Sequence, residues 1–376
     1  MYKKNNYKIF VLMFILVFIM NDIFPEKNLK KTHSKVSIVI FGDLMIHEEQ
    51  IKSAYNKKTK SYNFDNSFKY IKDFFKKQDL VIGNLEFTFG GKPYEGFPIF
   101  SSPVSMAESL KNSGINCVVT ANNHSNDRDN YGIKNTINVL DKYKIKHTGT
   151  FKNKKDKQKN NPLIISIKGI KIALLNYTAF TNIPLKKNNY QINIINKTSL
   201  INDIKKVKSR EADIIIVYFH WGNEYDSKIT NYQKIVSDIC IKNGVDIIVG
   251  SHPHVIQKIK TFNNMDKKQV VAYSLGNFLS AQGDFSNSGG AGLKLIIKKE
   301  NNKSYITNAR YFLNYVYSSI ENNKRNFIVI PQWYFSRFHQ KDFEFIRMKK
   351  FFNNHDKYLR NIPKGINALN YNIIND

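Results

Sequence analysis

Cysteine is nearly absent: the chain has 376 residues and only two, Cys117 and Cys240. A disulfide framework is therefore not what stabilises it, and both thiols sit in apolar contexts that suit small buried hydrophobes. Acidic residues are scarce too, 30 Asp plus Glu against 58 Lys plus Arg, for a net charge of +28. Such a balance points to nucleic acid, an anionic membrane surface or a polyanionic substrate. The excess is mostly Lys scattered among Asn and Ile along the whole length, which is the pattern of a solvated basic surface. No RNP box, zinc finger or helix-turn-helix signature occurs, so no nucleic-acid partner is expected. No repeat of fixed period is found, and 42% hydrophobic residues exclude a disordered chain and supply a substantial core.

Long apolar runs are missing from the body of the chain, with one exception at its start. Lys3, Lys4 and Lys8 precede an unbroken run from Ile9 to Met20 that stops at Asn21 and Asp22. A basic region followed by about a dozen apolar residues is the pattern of an export signal. No AxA-like cleavage site follows and no nearby cysteine offers a lipid attachment point. The expectation is an uncleaved signal anchor at the cell membrane, with a single N-terminal pass and the remainder outside the cytoplasm. A protein secreted after signal cleavage is the alternative. The lysines ahead of the run agree with a positive-inside orientation.

After a polar tether, residues 25–35, β-type runs alternate with amphipathic helical stretches. Val36–Phe41, Leu80–Ile82, Cys117–Thr120, Ile164–Ile167, Ile172–Asn176, Ile214–Phe219, Ile247–Val249 and Val270–Tyr273 read as strands. Helices are expected near Phe64–Lys77, Ser105–Ser113, Gly132–Tyr143, Ser199–Ser209 and Tyr232–Asn243, and Lys152–Asn161 reads as a loop. This order predicts an α/β domain with largely parallel pairing. Two hairpins interrupt it, Leu163–Ile167 with Lys171–Asn176, and Gly292–Lys298 with Lys303–Tyr311, which points to two sheets packed together and flanked by helices. The expected organisation is a signal anchor and tether over 1–34, a metal-binding domain over 35–290, and a C-terminal hairpin and helical extension over 291–376.

Short polar motifs stand where the apolar runs end: GDLMIH (Gly42–His47), GNLE (Gly83–Glu86), ANNH (Ala121–His124), HWGNEY (His220–Tyr225) and GSHPH (Gly250–His254). Strand C-termini are where α/β sheets bind ligands, and Asp, Glu, Asn and His hold divalent metals. Asp43 would project from one strand end, and Glu86 is placed to bridge two cations, with Asn84 on the same side. Asn123 beside His124, and His220 at the close of a hydrophobic strand, extend the set. His252 and His254 flank Pro253, so both imidazoles can face one side of an extended segment.

In unbroken order these motifs, with YSLGNF (Tyr273–Phe278), resemble the capsule-synthesis CapA family, linked to poly-γ-glutamate capsules and similar to calcineurin-like metallophosphatases. The resemblance covers about Val36 to Ala281. It implies a four-layer αββα sandwich of the metallophosphatase type. It also implies two divalent ions, manganese, iron or zinc, held by Asp43, Glu86, Asn123, His220, His252 and His254, with His124 protonating a leaving group. The chain departs from the metallophosphatase pattern at Met45, where a histidine is usual, and His47 is the candidate substitute. The function implied is synthesis, export or tethering of an anionic capsule polymer, with a metal-dependent hydrolase centre and polymer-synthase subunits as partners. The alternatives are an extracytoplasmic phosphoesterase with a phosphoester substrate, and a non-catalytic accessory subunit.

Overall fold

The computed structural model describes residues 34–369 apart from 186–188, 265–266, 322–323 and 339–341. The apolar run Ile9–Met20 and the anchor expected from it lie outside the described residues. Among the described residues, no helix is long and apolar enough to cross a membrane.

The strands, in chain order, are β1 (Ser34–Leu44), β2 (Tyr55–Asn56), β3 (Ser61–Tyr62), β4 (Leu80–Leu85), β5 (Cys117–Val119), β6 (Lys146–Thr148), β7 (Leu163–Ile167), β8 (Ile170–Thr178), β9 (Ile214–His220), β10 (Ile247–Ser251), β11 (Ile259–Asn264), β12 (Lys267–Ala272), β13 (Asn277–Leu279), β14 (Gly289–Glu300), β15 (Lys303–Glu321), β16 (Lys324–Pro331) and β17 (Asn367–Ala368). The helices are α1 (Glu48–Ala54), α2 (Lys72–Lys76), α3 (Ser105–Asn112), α4 (Asp129–Lys142), α5 (Lys154–Asn160), α6 (Lys197–Ser209), α7 (Asn231–Lys242) and α8 (Phe343–Arg360).

Two large sheets result. The first runs β16-β15-β14-β1-β4-β5-β6, with β13 also on β1 and β17 on β15; the second runs β11-β12-β10-β9-β8-β7. Alternation along each strand explains how they stack. Val36, Ile38 and Ile40 of β1 share one core with Ile214, Ile216 and Tyr218 of β9 and with Ile247 and Val249 of β10. The intervening residues point the other way: Val39 and Phe41 meet Phe74, Phe75, Met106 and Leu110 of α2 and α3. On the far side, Ile215, Val217 and Phe219 meet Leu200 and Ile204 of α6 and Val236 and Cys240 of α7. Strands buried on both faces read as continuous apolar runs, which is why these segments were visible in the sequence. Both cysteines are buried and free.

The first hairpin forms as expected, with Ile167 opposite Ile170 and the two turn residues Lys168 and Gly169 at φ 48° and 76°. The second is longer than expected and changes the domain picture. β14 pairs antiparallel with β1 from Ser34 opposite Lys299 to Phe41 opposite Gly292. The boundary drawn at residue 290 therefore falls inside a central strand, and residues 291–369 complete the first sheet instead of forming an appendage. Helix α8 seals the inner face of β15: Met348, Phe351 and Phe352 pack there, and the hydroxyls of Tyr311, Tyr315 and Tyr317 donate to Asp356, Glu344 and Asp342.

Two local expectations are corrected. Residues 154–160 form α5, capped by Asn153 Oδ1 accepting from Asp156 N–H at 2.9 Å. The segment Phe64–Lys77 is not one helix: a 3-10 turn over Asp65–Phe68 is followed by the short α2.

Candidate metal centre

Register brings the site together. Asp43, near the end of β1, lies opposite Asn84 of β4 on one side and Asn277 of β13 on the other. In the second sheet, His220, the last residue of β9, is in register with Ser251, the last residue of β10. Gly42 makes the first junction possible: a Cβ there would lie 1.9 Å from the Gly276 carbonyl oxygen, the group that accepts from Asp43 N–H at 2.9 Å.

The asparagines form a ladder beneath the site. Asn122 Nδ2 donates to the Leu85 carbonyl at 2.8 Å and to Asn84 Oδ1 at 3.1 Å. With its Oδ1 so engaged, Asn84 points its amide nitrogen at Asp43 Oδ1, 2.8 Å away, at Glu86 Oε2, 3.3 Å, and at His220 Nδ1, 3.2 Å. Asn123 Oδ1 stands 2.7 Å from His220 Nε2. His254 Nδ1 is 3.2 Å from Asp43 Oδ2, and its Nε2 is 3.8 Å from Glu86 Oε1. His220 Nε2 is 3.5 Å from the same Glu86 oxygen.

Asp43, Glu86, Asn123, His220, His252 and His254, predicted separately from five motifs, therefore share one buried cluster. Its donors fall into two groups whose ligand atoms lie within 4.8 Å of one another: Glu86 with His252 and His254, and Asp43 with Glu86 and His220. Glu86 belongs to both.

The cluster is unbalanced as it stands. Glu86 Oε1 and His252 Nδ1 are buried with no hydrogen-bond partner among the described residues, a costly condition for a polar atom. Burial, followed by the adjacent Asp43 carboxylate, pushes Glu86 well above the usual Glu range. Burial would raise Asp43 as well, but the His254 hydrogen bond and charge, with His220 and Asn84, draw it below the usual carboxylate range. Burial, then His252, holds His220 well below its ordinary value, and burial, then His254, brings His252 down to about 4. The His220 and His252 imidazoles, both held toward the neutral form, with two acidic side chains and an orphaned oxygen are a donor set that fits divalent cations, which would supply the missing positive charge.

The GSHPH segment reaches this arrangement by a different route from the extended one expected. His252 and His254 both adopt positive φ, 96° and 57°. Such strain on non-glycine residues persists where the surroundings hold it and clusters at functional sites.

His124 stands beside the donor groups and belongs to neither. Its Nδ1 lies 2.7 Å from Asp127 Oδ2, which also accepts the Phe100 N–H at 2.7 Å. A carboxylate there accepts a hydrogen bond from Nδ1–H, which leaves Nε2 as the nitrogen able to exchange a proton; Asn182 Nδ2 is 3.3 Å from that atom. Phe97, Phe180 and Tyr225 are exposed, and their rings lie 6.5, 5.1 and 6.0 Å from those of His124, His252 and His254. They form an aromatic rim.

Met45 is buried in the cluster on the helix side of the first sheet and offers no ligand. His47 does not replace it. It begins α1, where its N–H donates to Gln50 Oε1 at 2.8 Å and its Nδ1 accepts from Ala281 N–H at 3.3 Å. Sequence reasoning missed four supporting residues: Asn122, Asp127, Ser251 and Asn277. Each lies within or beside a motif that had been noticed, so position was the available signal.

Residues 37–282 match the family described as bacterial capsule synthesis protein PGA_cap. The capsule biosynthesis protein CapA of Bacillus anthracis is 28% identical over 265 residues, 67% of this chain and 62% of that protein. The PGA biosynthesis protein CapA of Bacillus subtilis (strain 168) is 29% identical over 293 residues, 75% of this chain and 74% of that protein. The chain thus spans 62% of the length of the B. anthracis relative. Among solved structures, the calcineurin-like phosphoesterase YfkN from Bacillus subtilis aligns at 15% identity and a TM-score of 0.41, over 87% of this chain and 99% of that one. That likeness is too loose to assign a substrate.

Proposed function

Because this chain belongs to the PGA_cap family of bacterial capsule synthesis proteins, we propose that it serves synthesis, export or tethering of an anionic capsule polymer, with poly-γ-glutamate as the polymer, through a metal-dependent hydrolase centre. The observation that carries the hydrolase reading is the sharing of Glu86 between two donor groups, with its Oε1 buried and unpartnered. Asp43, Glu86, Asn123, His220, His252 and His254 would hold two divalent ions, manganese, iron or zinc. Cations in that cradle would polarise a substrate oxygen and make water nucleophilic at neutral pH.

The protein's own residues supply the rest. Asp127 holds the Nδ1–H of His124, so Nε2 is the atom that gives a proton to the leaving group. The Asn84 amide fixes Asp43 and Glu86 against each other. The aromatic rim presents apolar surface to whatever approaches His124 and His252.

The three lysines ahead of Ile9–Met20 support a location at the cell membrane, with the folded domain outside the cytoplasm and next to polymer-synthase subunits. The test of the function is product release. Purified protein incubated with poly-γ-glutamate, and separately with a phosphodiester, is assayed with and without a chelator. Chelator-sensitive shortening of the polymer supports the capsule reading. Chelator-sensitive cleavage of the phosphodiester alone transfers the assignment to a phosphoesterase, and no cleavage of either leaves an accessory subunit.

A further inference from the structure

The outer face of the first sheet carries a second feature, at the end of β1 remote from Asp43. A cavity of about 350 Å³ is lined by Lys35, Lys294, Ile296, Lys298, Thr307, Asn308, Arg310 and Leu369. Four of these are cations and none is an acid. The register sets them against one another: Lys35 lies opposite Lys298, and Lys294 opposite Arg310. Like charges directly opposite on neighbouring strands are destabilising. Among the described residues no carboxylate makes a salt bridge to any of the four; the nearby Lys299, by contrast, points to the other face and pairs with Asp213 at 2.9 Å.

The chain-wide lysine excess does not account for this. Another basic hollow, lined by Lys52, Lys57, Lys58, Lys324 and Arg325, contains Glu49, which lies 3.7 Å from Arg325. There the charge is partly answered from within. In the β1/β14/β15 groove it is not, and Lys294, half-buried with its Nζ over the Phe74 ring, is pushed down by burial and by the charges of Lys35 and Lys77.

We propose that this groove is a binding site for a polycarboxylate chain, separate from the metal centre. Lys294 and Lys298 are four residues apart on one strand, about 13 Å at the usual strand rise. The two cation pairs are therefore too far apart for one small anion to answer both, and a chain with repeated carboxylates answers them together. The concave shape admits a chain, whereas a flat lipid surface would meet only its rims. The polymer's identity as poly-γ-glutamate rests on the function proposed above. The groove then holds the chain at a distance from the cluster around Glu86, as a tethering or feeding site would.

The test is a titration of the full-length protein with poly-γ-glutamate at low and at physiological salt. Wild type binds, and binding weakens as exposed charges are screened. Lys298→Gln with Arg310→Gln weakens it about tenfold or more, with unchanged metal content and an unchanged or higher melting temperature, since like charges are removed. Lys35→Gln alone weakens it less, and Lys57→Gln with Lys58→Gln leaves it at wild-type strength. Because the groove variant keeps wild-type metal content, failure of the groove and failure of the hydrolase reading give different results. Equal binding by the groove variant, equal loss in the Lys57/Lys58 variant, no polymer binding by wild type, or binding only to anionic phospholipid vesicles each overturns the proposal.

Discussion

Asn277 Oδ1 lies 3.1 Å from His254 Nδ1, and the asparagine has no freedom to turn away. Its Nδ2 donates to Gln282 Oε1 and to the Asn287 carbonyl, both at 2.8 Å. The oxygen is thus left as an acceptor for the His254 Nδ1 proton, and Nε2 keeps its lone pair toward Glu86. Partners of this kind set ligand tautomers, and losing one costs about 10- to 100-fold in metal affinity. Asn277→Ala is expected to show that loss in a metal titration, whereas Asn277→Asp, which keeps an acceptor, retains most of the affinity.

In the proposed function, proton transfer falls to His124 with Asp127 behind it, and metal holding falls to other residues. His124→Ala is expected to keep the metal content of wild type and to lower kcat by about 10²- to 10⁴-fold. Asp127→Asn acts through the histidine, so it should lower kcat with little change in KM and shift the alkaline limb of the pH–rate profile, where the proton donor is lost. A variant whose only defect is a lower melting temperature would reduce Asp127 to a structural residue.

Metal uptake should depend on pH with a definite sign. Burial and Asp43 raise Glu86, so without a cation its carboxyl keeps a proton to higher pH than an ordinary Glu does. His252 stays neutral down to about 4. A cation must displace the Glu86 proton; uptake therefore releases protons, and affinity rises with pH and falls toward acid. Calorimetric titration in buffers of different ionisation enthalpy measures this. Uptake without proton release would contradict the assignment.

The C-terminal segment is expected to be indispensable to folding. Leu293, Leu295, Ile297, Leu313 and Tyr315 are buried in the core between the sheets, and each such side chain contributes about 1.5–3 kcal/mol. Together they are comparable to the whole stability of a typical domain, about 5–15 kcal/mol. A chain ending at residue 290 should show no cooperative thermal transition by circular dichroism. A sharp transition near that of the full chain would restore the two-domain picture.

Much of this architecture was legible because its strands are buried on both faces and end in polar junctions. Ile214–His220 is such a run, and its terminal histidine was readable as a candidate. What was not legible depended on pairing at long range. Nothing local in Gly289–Glu300 says that it lies beside β1, since that register is decided by the whole sheet. Residues 154–160 read as a loop because α5 buries none of its side chains, so no apolar period marks it. The convergence of His252 and His254 was readable while the left-handed backbone behind it was not, because His and Pro carry no signature of positive φ. His47 looked like a ligand by spacing, and the capping geometry of Gln50 at the start of α1 assigns it elsewhere.

Glu86 decides the account most directly, because both donor groups contain it and each has a second pair of residues of its own. Elemental analysis of purified wild type, Glu86→Gln and His252→Ala, with folding verified for each, is the measurement. Two divalent ions per wild-type chain are expected, with both lost or severely weakened in Glu86→Gln and one retained in His252→Ala. A wild-type protein that takes up no divalent ion, or a Glu86→Gln variant that holds the wild-type amount, would contradict a shared metal centre.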